Sequence, residues 1–208
     1  MWMYLAGLLF LLMGFLIFAV FSIRSGIFIK GITKSPTGNY LFTFDDGPHP
    51  EFTSQILDLL KENEVKALFF CIGKNVKLYP ELARRIVAEG HSIGNHTYNH
   101  EVRSTYMDAS QYKKEINDTT HTIEQATGVK CTYFRPPFGV TNPSIATAVR
   151  SSGLTMMAWN IRTFDTVAKT SEIIYNRIVT GLNSDSIVLM HDTNPLTVEA
   201  LKKFFSKQ

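Results

Sequence analysis

The chain has 208 residues and a net charge of +3, from 21 Lys and Arg against 18 Asp and Glu. That length suits one domain of ordinary size with a full core and is too short for two large ones. The weak, mixed charge excludes the basic stripe of a nucleic-acid binder, and a composition 45% hydrophobic excludes a disordered chain.

Every charged side chain follows Ile23. The first 23 residues, MWMYLAGLLFLLMGFLIFAVFSI, would span roughly 35 Å as a helix, enough to cross a bilayer. A cleaved signal has a shorter apolar core, a basic start and a small-x-small exit. Here the basic start is missing and Ala19-Val20-Phe21-Ser22 is a poor exit. Residues 1–23 are therefore expected to be a transmembrane anchor or uncleaved signal. Arg24, Lys30 and Lys34 follow the span, so charge alone would keep that side cytoplasmic. Residues 24–39, with Gly, Ser and Pro and no clear period, read as a linker. Residues 40–208 are the globular part.

That part alternates strands and helices. Tyr40 to Phe44 is a short apolar strand, followed by a helix with Ile56, Leu59 and Leu60 on one face. Lys66 to Ile72 is a strand. Pro80 to Glu89 is a helix opened by proline and closed by Gly90. A short strand ends at Ile93, and Tyr112 to Thr127 is a longer helix stopped by Gly128. Three further units pair strands at 132–134, 155–159 and 186–190 with helices at 143–152, 171–179 and a last one through Phe205. Such alternation predicts a parallel sheet or barrel, whose functional groups gather beyond the carboxyl ends of the strands.

The unusual polar groups follow strands in just this way. His96 and His100, four apart, would share a face on one helical turn, a spacing suited to one metal; as an alternative they are simply solvated. Asp45-Asp46 before Gly47-Pro48 is either a turn or a pair that divides labour, one carboxylate ligating and the other taking a proton. Arg135, ahead of two prolines, can fix a carboxylate or lie on the surface. His191 can be a proton donor oriented by Asp165, or a loop residue. Trp159 is core or a substrate platform. His121 reads as solvated, and His49 and His91 carry no assignment. Cys71 and Cys131 lie in apolar runs and are expected to be buried thiols, a disulfide being the alternative.

In order, TFDDGP at 43–48, HTYNH at 96–100, RPPFG at 135–139 and LMH at 189–191 resemble the polysaccharide deacetylases, the family-4 carbohydrate esterases, over residues 40 to about 192. The resemblance implies an α/β fold, a distorted (β/α) barrel of about seven strands, here preceded by one N-terminal transmembrane helix. It implies a divalent metal, Zn2+ or another such as Co2+, held by Asp46, His96 and His100. Asp45 resembles the general base, Arg135 the residue that orients it, His191 the general acid and Asp165 the carboxylate that tunes the acid. A backbone N–H near Phe138 would help to hold the oxyanion, and Leu189 would form part of the slot for the acetyl methyl. One motif departs from the family: Arg162 stands where an Asp is usual, and Thr166 where an aromatic is.

The resulting expectation is a metal-dependent hydrolase that releases acetate from N-acetylated cell-wall glycan, peptidoglycan above all. Chitin oligosaccharides or an O-acetylated polysaccharide are the alternative substrates, and a membrane-tethered, non-catalytic glycan-binding protein the alternative class. The expected partners are an N-acetylated glycan and the membrane, with no nucleic acid, and the catalytic domain is expected to be monomeric. An external substrate would place a single-pass protein in the cell membrane with its catalytic domain outside the cytoplasm.

Overall fold

The computed structural model describes residues 1–207. Helix α1 (Trp2–Phe21) is apolar and exposed along nearly its whole length. The body then alternates β1 (Leu41–Asp45), α2 (Phe52–Glu62), β2 (Ala67–Cys71), α3 (Gly73–Leu78), α4 (Pro80–Ala88) and β3 (Ser92–Asn95). It continues through α5 (Ala109–Thr127), β4 (Tyr133–Phe134), α6 (Pro143–Ser152), β5 (Thr155–Met156), β6 (Ile161–Arg162), α7 (Ser171–Gly181), β7 (Ile187–His191) and α8 (Pro195–Phe205).

The seven strands form one sheet in the order β5-β4-β3-β2-β1-β7-β6, every pairing parallel. The expected fold class, a distorted (β/α) barrel of about seven strands, is what is found: a curled, open half-barrel. Alternation along the strands sorts its core into two layers. Phe42, Phe44, Phe69, Cys71, Val188 and Met190 point outward under the helices. Leu41, Leu68, Phe70, Ile187 and Leu189 point into the curl, where Phe134 and Trp159 join them. Thr43 and Asp45 share the inward parity of Leu41, so the carboxylate emerges at the top of the curl.

Local chemistry explains where the helices start and stop. Asp108 and Gln111 make a reciprocal capping box on α5, and Gly128 ends the helix at φ 73°. Asn142 caps α6 with Pro143 at the first turn, and Asn194 caps α8 with Pro195 in the same place.

Three sequence expectations change. The run 155–159, expected as one strand, is β5 alone, and the chain then crosses the open seam of the curl to form β6 at the opposite edge. Hydrogen bonds across this crossing go to the amino-terminal segment instead: Ile32 N–H donates to Met156, and Ala158 N–H to Ile32. Residues 24–39, read as a linker, are thus laid against the body, with Ile29 buried in the inner layer beside Ile23, the residue before the segment. Helix α3 went unforeseen, since Gly73 at its start suggests a turn. That glycine is needed, because a Cβ there would lie 2.5 Å from the Tyr98 ring. Cys71 and Cys131 are buried and free, as expected.

Candidate active site

Strand register brings the polar groups together. Asp45 pairs with His191 across β1 and β7, and Asn95 pairs with Phe134 across β3 and β4. His96 and Arg135, the first residue beyond each strand, are therefore neighbours, and the His96 Nδ1–H donates to the Arg135 carbonyl at 2.7 Å. That bond leaves Nε2 as the free lone pair facing the cavity.

Asp46 sits at φ 77°, a left-handed position that few non-glycine residues adopt and that Asp adopts more readily than most. Its carbonyl is held by the Asn75 amide of α3 at 2.8 Å. The following Gly47 is obligatory, because a Cβ there would lie 2.0 Å from the Asp192 carboxylate. Asp192 itself is buried, accepts the Thr53 hydroxyl at 2.5 Å, and has its carboxyl pushed up to about 7 by burial, with Asp46 adding to the rise.

The segment His96 to His100 is not helical. It bends twice, with Thr97 and His100 both at positive φ. Asn95 accepts the Thr97 N–H at 2.9 Å, and the Glu115 carboxylate of α5 accepts the Tyr98 and Asn99 N–H groups at 3.0 and 2.9 Å. The two imidazoles still meet, with ring centroids 4.8 Å apart, but through this braced loop and not through a shared helical face.

Asp46 Oδ1 lies 3.4 Å from His96 Nε2 and 3.2 Å from His100 Nε2, and the three ligand atoms fall within 4.8 Å of one another. That oxygen is buried and has no hydrogen-bond partner in the protein. Burial lowers His100 to about 4, with His96 adding to the fall, so His100 is neutral at ordinary pH. A buried, unpartnered carboxylate oxygen between two imidazole nitrogens is a donor set that fits a divalent cation such as Zn2+.

Beside it, Asp45 Oδ1 accepts a 2.7 Å bond from Arg135 Nη1. Arg135 is wholly buried and makes three further hydrogen bonds: to Thr43 Oγ1 at 2.8 Å, the Met157 carbonyl at 3.2 Å and the Ala158 carbonyl at 3.0 Å. The guanidinium lies over the Phe70 ring at 4.1 Å. It thereby satisfies carbonyls left by the seam crossing and fixes one face of Asp45. Asp45 Oδ2 remains free, 3.8 Å from His96 Nε2.

On the opposite side, Asp165 Oδ1 accepts from His191 Nδ1 at 2.9 Å, while Oδ2 accepts the His191 N–H at 2.7 Å and the Thr197 hydroxyl at 2.8 Å. Burial opposes the charged imidazole, but the Asp165 hydrogen bond and the charges of Asp165, Asp45 and Asp46 prevail and raise His191 to about 9. Its Nε2 points toward the cluster, 3.9 Å from Asp46 Oδ2.

These groups line one cavity of about 260 Å³, whose walls include Phe138, Trp159, Leu189, Arg162 and Thr166. Trp159 is both core and wall, mostly buried and bordering the cavity. Gly139 is held by contact, since a Cβ would meet the indole at 2.5 Å. All ten residues singled out from the sequence converge on this region: eight line the cavity, while Arg135 and Asp165 lie behind it and hold Asp45 and His191. The seam carbonyls, Thr197, Glu115 and Asn75 were not foreseen, because each acts through a hydrogen bond across the sheet that no local pattern encodes.

Fold and site together define a curled parallel (β/α) domain with a carboxylate–histidine centre at the carboxyl ends of its strands. The profile of the polysaccharide deacetylase family matches residues 33–157, and the chain belongs to that family. It is 32% identical over 184 residues to the peptidoglycan-N-acetylglucosamine deacetylase PgdA of Listeria monocytogenes, covering 88% of this chain and 39% of that protein. It is 35% identical over 157 residues to a chitooligosaccharide deacetylase of Rhizobium leguminosarum bv. trifolii, covering 76% of this chain and 73% of that one. Among solved structures, the family 4 carbohydrate esterase from Streptomyces lividans, in complex with acetate, superposes with a TM-score of 0.76 at 30% identity, covering 83% and 88% of the two chains. The chain thus spans about two fifths of the Listeria protein's length.

Proposed function

We propose that this protein is a metal-dependent N-deacetylase that releases acetate from an N-acetylated cell-wall glycan, peptidoglycan first. The observation that carries the reading is the meeting of three units in one cavity: Asp46–His96–His100, Arg135–Asp45 and Asp165–His191. The names of the Listeria and Rhizobium relatives support the substrate class.

Asp46, His96 and His100 would hold the cation, with Zn2+ favoured by the two imidazoles and one carboxylate and Co2+ a workable substitute. When bound, such a cation supplies Lewis acidity that polarises an acetamide carbonyl and acidifies water. Asp45, with Oδ1 engaged by Arg135 and Oδ2 free, takes the proton as water adds to the carbonyl carbon. His191, kept protonated by Asp165, gives its proton to the departing sugar nitrogen. The peptide at Phe138, where φ is 60°, supplies an N–H for the developing oxyanion. Leu189 offers an apolar wall to the acetyl methyl, and Trp159 a face to the sugar.

Helix α1 is read as a single-pass anchor, with the catalytic domain outside the cytoplasm, where such a glycan lies. The exposed apolar length of α1 supports this, as does the burial of Ala19 against the body, a contact that cleavage near Ser22 would strip away. The deciding experiment is acetate release by the full chain on peptidoglycan and on chitin oligosaccharides, with and without a chelator. The expected result is chelator-sensitive release with peptidoglycan preferred. Release that ignores the chelator would remove the metal from the proposal, and a preference for chitin would replace the substrate.

A further inference from the structure

A second, larger hollow of about 500 Å³ adjoins the catalytic cavity. Its walls include Val20 and Phe21 of α1 and Val102, Tyr106, Phe138 and Val140 of the body. Phe138 is common to both: one side of it borders the catalytic cavity, where its ring lies 4.8 Å from that of His100, and it also borders the apolar hollow. A single aromatic side chain thus separates the candidate metal centre from a groove that ends on the last turn of the membrane helix.

The helix does not swing on a tether. Thr141 N–H donates to the Val20 carbonyl at 2.9 Å and its hydroxyl to the Ala19 carbonyl at 3.3 Å. Ala19 is fully buried, and Ile23 packs into the inner core layer with Val140 and Trp159. The 20 residues of α1 span about 30 Å, the thickness of a bilayer's hydrocarbon core, so Phe21 falls at its boundary. Arg24 and Lys30, both exposed, follow at the depth of the headgroups. The groove is therefore pinned at the membrane surface and continuous with it. Its rim is apolar and open: Phe21 is 68% exposed, Val102 65% and Tyr106 86%.

We propose that the N-acetylated sugar reaches this site on a membrane-embedded lipid, and that the groove between Phe21 and Phe138 receives the lipid's hydrocarbon chain while the sugar enters the catalytic cavity. The substrate class is a glycolipid whose chain enters from the leaflet in which α1 ends. This rests on the deacetylase and anchor readings above and specifies that the cell-wall glycan is met in lipid-borne form rather than as finished polymer.

The test uses the full chain in phospholipid vesicles, loaded with Zn2+, and one N-acetylated disaccharide supplied in two forms: free, and glycosidically linked to a long isoprenoid alcohol. Acetate release is followed for the wild type and for Val102→Asp and Tyr106→Asp. The expected result is a kcat/KM at least about tenfold higher for the lipid-linked form, falling toward equality in both variants. Release from the free disaccharide reports whether each variant is folded, and Val102→Ser is a milder substitution should Val102→Asp fail that check. Equal use of both forms by the wild type overturns the proposal and leaves the deacetylase reading standing. So does a lipid preference that survives the substitutions, because enrichment at the bilayer alone would produce it. Acetate from neither form overturns the deacetylase reading, and the groove proposal with it.

Discussion

The floor of the cavity and its lip are built on opposite principles. On the floor, Arg135, Asp45 and Asp165 are buried, and nearly every donor and acceptor they carry is engaged. At the lip, Phe138 is half exposed, and Arg162 lays its guanidinium 4.8 Å over the half-exposed ring of Phe164 (φ 52°), which that of Arg177 also covers at 4.9 Å. Buried, saturated networks have one arrangement and resist change. Exposed cation–aromatic contacts are worth little each and tolerate replacement. On the proposed function, the floor would fix the reaction and the lip, where Arg162 and Thr166 lie, would choose among substrates.

The largest expected effect breaks the floor at its base. Asp45→Asn keeps the shape and removes the carboxylate proposed as the proton acceptor, so kcat should fall by about 10²-fold or more while metal content stays whole. Metal loss in this variant, with activity kept in Asp46→Asn, would mean that the two carboxylates have exchanged roles. Arg135→Ala should act on the fold as well. It leaves the buried Asp45 carboxylate and the Met157 and Ala158 carbonyls unpaired, and removing one member of a buried pair costs about 3–5 kcal/mol. Denaturant titration checks this; an unchanged midpoint would mean that water or another side chain takes over those acceptors.

An intermediate effect lies in the pH profile. His191 must be protonated to act as an acid, and its pKa is raised to about 9, with Asp165 the chief cause of the rise. Activity should therefore hold at neutral pH and decline as pH climbs through that value. A bound cation offsets the charge of Asp46 and moves the decline to somewhat lower pH. Asp165→Asn takes away both the hydrogen bond and the charge, so the alkaline limb of kcat/KM should move lower still. Identical limbs in the two proteins would assign that limb to another group.

Most of the floor was legible in the sequence because its residues sit at strand ends, where a parallel sheet brings separate motifs to one rim. DDGP, HTYNH, RPPFG and LMH each follow an apolar run, and register alone then sets Asp45 beside His191. What was not legible depended on the path of the chain between elements. The HTYNH spacing suggested a helical turn, yet the imidazoles converge through a loop bent at Thr97 and His100 and tied to Glu115 on another helix. The run 155–159 has the composition of one strand, but the open seam divides it into β5 and a crossing, whose two free carbonyls are taken by Arg135. Local pattern encodes burial and parity; it does not encode which distant donor finds a carbonyl.

The smallest expected effect sharpens the lip. The Arg162 guanidinium, in the cavity wall, lies 5.8 Å from the Trp159 ring on the cavity side and 4.8 Å from the exposed Phe164 ring. Arg162→Ala removes contacts worth about 0.5–1 kcal/mol in an exposed setting, which predicts a two- to fivefold change in KM with kcat and metal content held. Because the lost group is a cation, KM should rise more for a glycan bearing a carboxylate than for a neutral one of equal length. Steady-state kinetics on such a pair decide it. A fall in kcat without a change in KM would move Arg162 from the lip to the floor, and an equal shift for both glycans would leave its charge without a role in substrate choice.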